Sequence, residues 1–151
     1  MKDTIALGTF AGAVATLVLN LLTFLARLVG IRTSTPWDVA ALLFLNERYL
    51  GTGAGFIIGF FGSMALGIAT GVVTSVLVKF TGSDYAMLKG VLAAEALGFA
   101  GISLFAPILG IAGFLKFEPA SNFFALVGLF VFGLTAGYII KKLQRVDEAV
   151  S

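Results

Sequence analysis

Glu95 is the only acidic residue set well inside one of the long apolar stretches of this sequence, and any chemistry the chain carries has to start from it. A charged side chain near the middle of a membrane-crossing helix costs roughly 2.5 to 3.5 kcal/mol on insertion scales, so this carboxyl must be paired, reached by water in a cavity, or protonated. Counting outward from the turn at residues 82–83 puts Thr70 at the same depth on the preceding apolar stretch. Thr135 stands at a similar height on the last stretch, and Thr9 or Thr16 on the first would complete a polar cluster with it. In one role, Glu95 is a proton- or cation-binding group facing a cavity. In the other, it hydrogen-bonds Thr70 or a backbone carbonyl and holds helices together. Asn20 lies at a different depth, where an amide bonding across helices contributes about 0.6 to 2 kcal/mol.

The rest of the inventory removes most enzyme chemistry. There is no His and no Cys, so disulfides, the usual zinc, haem and iron–sulfur ligation, and nucleophile pairs built on an imidazole are all absent. Ser63, Ser75 and Ser103 have no candidate base other than Glu95. No catalytic residue, metal-ligand set or cofactor is assigned, and the chain reads as a non-enzyme.

The elements that position these residues follow from composition. Charged residues make up 12 % of the 151, half the ~25 % of a soluble domain, while 59 % are apolar and Gly and Phe number 19 and 15. A mean hydropathy of +1.05 points to a bilayer as the solvent. The net charge of +2 and a pI near 9.1 do not imply nucleic acid, because the ten Lys and Arg are scattered at the ends of apolar stretches rather than gathered on one face. The length suits one domain, here a single transmembrane domain over residues 1–151.

The clearest stretch is Gly55 to Val78, 24 residues without a charge, or ~36 Å of helix, enough to cross a ~30 Å hydrocarbon core with some tilt. Its small residues recur every fourth position, at Gly55, Gly59, Ser63, Gly67, Gly71 and Ser75. A stripe of that kind lets a neighbouring backbone approach closely, which is how helices pack in lipid. A first span is expected over about 4–28. Lys2 and Ala13-Val14-Ala15 resemble a secretory signal and its cleavage site, but the apolar run continues well past them, as an uncleaved span would. Between these two spans, Thr35-Pro36-Trp37-Asp38 is a helix start, with Thr35 as N-cap and Pro36 at the first helical position. It opens an interfacial or shallowly re-entrant helix over about 36–49, with Trp37 and Tyr49 at the water–lipid boundary.

A third span over about 85–109 follows the turn at Gly82, capped by Ser83 or Asp84 and kinked or finished by Pro107. Gly90, Ala94 and Gly98 repeat the small-residue spacing, as do Gly133 and Gly137 on a fourth span over about 120–140. Lys141, Lys142 and Arg145 are expected to end that span, ahead of a polar tail. The fold class is therefore all-α, an integral membrane four-helix bundle with a short helix between helices one and two. Lys2, Lys79, Lys89, Lys141, Lys142 and Arg145 collect on one side, against Arg27, Arg32, Arg48 and Lys116 on the other. That imbalance predicts a multi-pass protein of the cytoplasmic (inner) membrane with both termini cytoplasmic. Gly62, Gly67 and Gly71 are spaced like Gly128, Gly133 and Gly137, which raises duplication of a hairpin as one origin of the chain.

Leu19-Asn20-Leu21-Leu22, the T-P-W-D helix start, two Gly-rich spans and the closing Gly133-Leu134-Thr135-Ala136-Gly137-Tyr138 resemble the small four-span membrane proteins of Gram-positive bacteria of the YqhR-like kind. The resemblance covers nearly the whole chain in layout. It implies a cytoplasmic-membrane location and a four-helix fold, and no activity or site. The function expected from the sequence is structural or accessory, through packing of Gly-rich faces, with a small oligomeric transporter or channel using Glu95 as the alternative. The expected partners are the lipid bilayer and either a second copy or another membrane protein, without nucleic acid.

Overall fold

A computed structural model describes residues 3–31, 33, 35–101, 104, 106–108, 110 and 119–150. Lys2, Arg32, Ser103, Lys116 and most of the connector before the last helix lie outside the described residues. Every regular element among the described residues is helical: α1 (Thr4–Leu28), α2 (Pro36–Ala41), a single 3₁₀ turn (Glu47–Tyr49), α3 (Gly53–Thr81), α4 (Ala86–Ala100), one turn of α5 (Ala106–Ile108) and α6 (Pro119–Val150). Among the described residues, three helical segments are long and apolar enough to cross a membrane: Thr4–Leu28, Gly53–Thr81 and Asn122–Gln144.

Local sequence explains where the helices begin and end. Asp3 caps α1 by accepting from the amides of Ile5 and Ala6. At its other end Gly30 turns left-handed at φ 85°, and the Ile31 amide reaches back to the Ala26 carbonyl, closing the helix with a Schellman turn. Thr35 caps α2 by accepting from the Asp38 amide. That helix is shorter than the 36–49 expected. It gives way to turns after Ala41, and extended backbone at Asn46 starts the separate 3₁₀ turn. Thr52 caps α3, which begins two residues before the expected start, and Gly82 at φ 86° ends it.

Two ends depart further from expectation. α4 stops at Ala100 rather than continuing to 109, and its 15 residues make only ~22 Å of helix. Gly101 and Leu104 take wider, π-type turns ahead of Pro107, whose missing amide cannot support a continuous ladder. Neither Ser83 nor Asp84 caps this helix. Tyr85 holds the N-cap position in the left-handed region at φ 55°, and the Lys89 ammonium instead donates to the carbonyls of Thr81 and Gly82, closing the end of α3. α6 in turn continues past Lys141 and Lys142 to Val150. Its last segment is rich in Lys, Gln, Arg, Glu and Ala, residues that sustain a helix in water.

α1, α3, α4 and α6 pack in that cyclic order, each on the next, with α6 returning to α1 and α2 laid on α3. α1 presents two adjacent rows to this core. Gly8, Gly12, Thr16 and Asn20 face α3, while Leu7, Ala11, Ala15 and Leu19 face α6. Leu7 and Ala11 pack with Val78, Ala86 and Ile140, and Ala15 packs with Ala94, Phe132 and Ala136. The outer surface carries Phe10, Leu21, Phe61, Phe80 and Leu92, all more than half exposed, the distribution expected where hydrocarbon is the solvent.

Candidate functional site

The polar groups buried in this bundle are positioned by the same small residues. On α3, Gly55 lies against the Tyr49 carbonyl and Gly59 against the Trp37 carbonyl, so the N-terminal half of the stripe holds the 3₁₀ turn and α2. The C-terminal half holds α1. Gly67 faces Thr16 and the Gly12 backbone, and Gly71 faces Gly8 and Gly12. On the other pair, Gly90 meets the Gly133 backbone, Gly137 meets Ala86, and the Leu129 side chain lies over Gly98. Ser63 and Ser75 of the same stripe are buried, as is Ala94. The period-four stripes are thus covered from within the chain.

Asn20 and Ser63 meet where the two halves of the α3 stripe join. Asn20 Nδ2 donates to Ser63 Oγ at 3.2 Å, and Ser63 Oγ donates on to the Phe60 carbonyl. Thr23, also buried, donates to the carbonyls of Leu19 and Asn20. Asn20 Oδ1 is buried without a partner among the described residues, as is the hydroxyl of Ser75. Because an orphaned buried group costs more than a lost pair of groups, the two partners should respond differently to substitution. Asn20→Leu removes bond and orphan together and is expected to stay within about 1 kcal/mol of the parent. Ser63→Ala strands Nδ2 as well and should cost about 1 to 2 kcal/mol. Thermal unfolding in detergent, followed by circular dichroism, compares them.

Glu95 stands at the edge of the core. Buried Val91 and Ala94 lie on one side of it along α4, exposed Leu92 and Phe99 on the other. Its Oε2 atom is enclosed and has no hydrogen-bond partner among the described residues. The threonines of the anticipated cluster are otherwise engaged. Thr70 donates to Leu66, Thr135 to Val131 and Thr16 to Gly12, each to a carbonyl four residues back on its own helix. Such back-bonding is the cheap way to satisfy a hydroxyl inside an apolar helix, and it leaves those protons unavailable to a carboxylate on another helix. Among the described residues no group of three acidic side chains converges as a metal site would need.

An ion pair ties the short helix down. Arg27, in the last turn of α1, contacts Asp38 in the first turn of α2 at 2.8 Å, with the Asp38 side chain only 17 % exposed. Trp37 sits between Phe24 and Phe56, with ring centroids 6.3 and 5.7 Å away. The signal for this clamp was the helix-start position of Asp38, whose charge favours an N-terminus and leaves a carboxylate free to pair. Compared with protein-family models, curated proteins and solved structures, the chain matches none.

Proposed function

We propose that this protein is a structural or accessory component of a cell membrane, a four-helix bundle whose role is to pack against lipid and against another membrane protein or a second copy. The observation that carries this reading is the closed interior. Glycine backbones meet within each helix pair, and Ala11, Ala15, Ala94, Phe132 and Ala136, all buried, fill the space between pairs. A partner would meet the Leu- and Phe-rich outer surface, since the small-residue faces are already taken. Lys79, Lys89, Lys141 and Lys142 lie at the end of the bundle opposite Arg27 and Arg48, so among these described residues the basic side chains favour the end that holds the 82–85 turn. This asymmetry supports a cytoplasmic-membrane location with the termini and the 82–85 turn on the cytoplasmic side. The resemblance in layout to YqhR-like proteins fits the same picture.

One observation favours a second reading. An enclosed carboxyl oxygen without a partner, on a short helix followed by π-type turns, is the kind of group a proton- or cation-coupled transporter uses. Proton and monovalent-cation flux into proteoliposomes separates the two. The structural role predicts no flux above protein-free vesicles from the parent or from Glu95→Gln, and a variant within about 1 kcal/mol of the parent in stability. Flux in the parent that Glu95→Gln abolishes would establish the transporter instead.

A further inference from the structure

We infer that this protein is an internal pseudo-dimer: α1 with α3, and α4 with α6, are two copies of one helical hairpin, and the partner that fits each hairpin's inner side is the other hairpin of the same chain. A shift of 66 residues carries Gly62, Gly67 and Gly71 of α3 onto Gly128, Gly133 and Gly137 of α6, and also carries the first residue of α3, Gly53, onto the first residue of α6, Pro119. A shift of 78 residues carries Gly8, Gly12 and Asn20 of α1 onto Ala86, Gly90 and Gly98 of α4. Glycines four apart recur by chance in a chain this rich in Gly, so spacing alone decides nothing. The contacts do.

In the first hairpin Gly8 packs on Gly71 and Gly12 on Gly67. In the second, the shifted positions Ala86 and Gly90 pack on Gly137 and Gly133. Farther along, Asn20 bonds Ser63, and the shifted pair is Gly98 with Leu129, whose Cδ1 lies 2.5 Å from where a Cβ on Gly98 would stand. One pair of shifts thus maps three interhelical contacts onto three others. At the third, one hairpin uses a polar pair and the other seats a leucine over a glycine. Between hairpins the exchange is reciprocal as well, because the first helix of each packs on the second helix of the other, α1 on α6 and α4 on α3. The relating axis runs along the helices, as for parallel repeats. The hairpins part company at Gly62, covered by Ala40 of α2, whereas Gly128 is covered by Leu19.

Exchange of the third contact between hairpins tests the inference. Gly98→Asn alone should lower the thermal midpoint, because its side chain meets Leu129, and Leu129→Ser alone should lower it by opening a void. If positions 98 and 129 are the counterparts of Asn20 and Ser63, the double variant rebuilds the polar pair and recovers at least half of the summed loss. A control combining Gly98→Asn with Leu129→Ala gives the same room without an acceptor, and should recover less. The reverse exchange, Asn20→Gly with Ser63→Leu, provides an independent second reading in the other hairpin. Recovery by the serine double beyond the alanine control, or by the reverse double, is the expected result. No recovery in either hairpin, including failure of both double variants to fold, would overturn the inference.

Discussion

Gly71→Ala is expected to destabilise the protein by about 3 kcal/mol or more, beyond the usual cost of a single added methyl in a core. The new methyl would fall on the Gly8 carbonyl oxygen and 2.5 Å from Gly12 Cα, both backbone atoms that no side-chain rotation can move aside. α1 and α3 must then separate along their length. The Thr16 contact with Gly67 lies about a turn away, and the Asn20–Ser63 bond about two. Gly101→Ala supplies the control, because among the described residues nothing lies within 4 Å of its added Cβ and its backbone is already helical, at φ −58°. That variant should match the parent or gain up to about 1 kcal/mol. Unfolding of both proteins in the same detergent compares them, and a Gly71→Ala midpoint equal to that of Gly101→Ala would refute the backbone contact.

Gly59→Ala carries the second large effect and acts at the other end of the same stripe. Its methyl would fall on the Trp37 carbonyl and 2.8 Å from the carbonyl carbon, so the start of α2 has to lift away from α3. The loss is set at about 2 to 3 kcal/mol, because α2 is short and can shift partly as a unit. Trp37 is the only tryptophan of the chain, which makes its fluorescence a local reporter. Displacement from between Phe24 and Phe56 should red-shift its emission and raise its quenching by aqueous iodide. Gly71→Ala, measured below its own transition, should leave that signal nearer the parent's. Unchanged Trp37 emission in Gly59→Ala would contradict the contact.

The helical class and the small-residue stripes were legible in the sequence because both rest on local pattern: uncharged length, and a period that keeps glycines on one face. The partners of the stripe were not. Gly55, Gly59, Gly67 and Gly71 look alike in sequence, yet the first receives the 3₁₀ turn, the second α2 and the last two α1. That division depends on how a short capped helix folds back on α3, which the helix-start residues announce but do not aim. The threonines set by depth beside Glu95 are bonded within their own helices for a related reason. Matching depth along helices says nothing about facing direction, and each threonine found a nearer acceptor on its own helix. The early end of α4 was signalled by Pro107, but the change of backbone begins at Gly101, a weak helix former ahead of it. Asn20 was read as interhelical glue, and its partner Ser63 was already marked as a member of the α3 stripe.

The proposed membrane role requires four helices to cross one bilayer, with the short α4 among them and the 82–85 turn on the same side as the end of α6. The absence of cysteine from the chain makes this directly measurable. Single variants Ser83→Cys, Gln144→Cys and Glu47→Cys would be labelled with a membrane-impermeant maleimide in intact cells and again after permeabilisation. Ser83→Cys and Gln144→Cys are expected to stay unlabelled until the membrane is opened, and Glu47→Cys to label from outside. Opposite exposure of positions 83 and 144 would contradict the bundle as a four-crossing membrane fold, because α4 and α6 could not then both traverse the bilayer as an antiparallel pair.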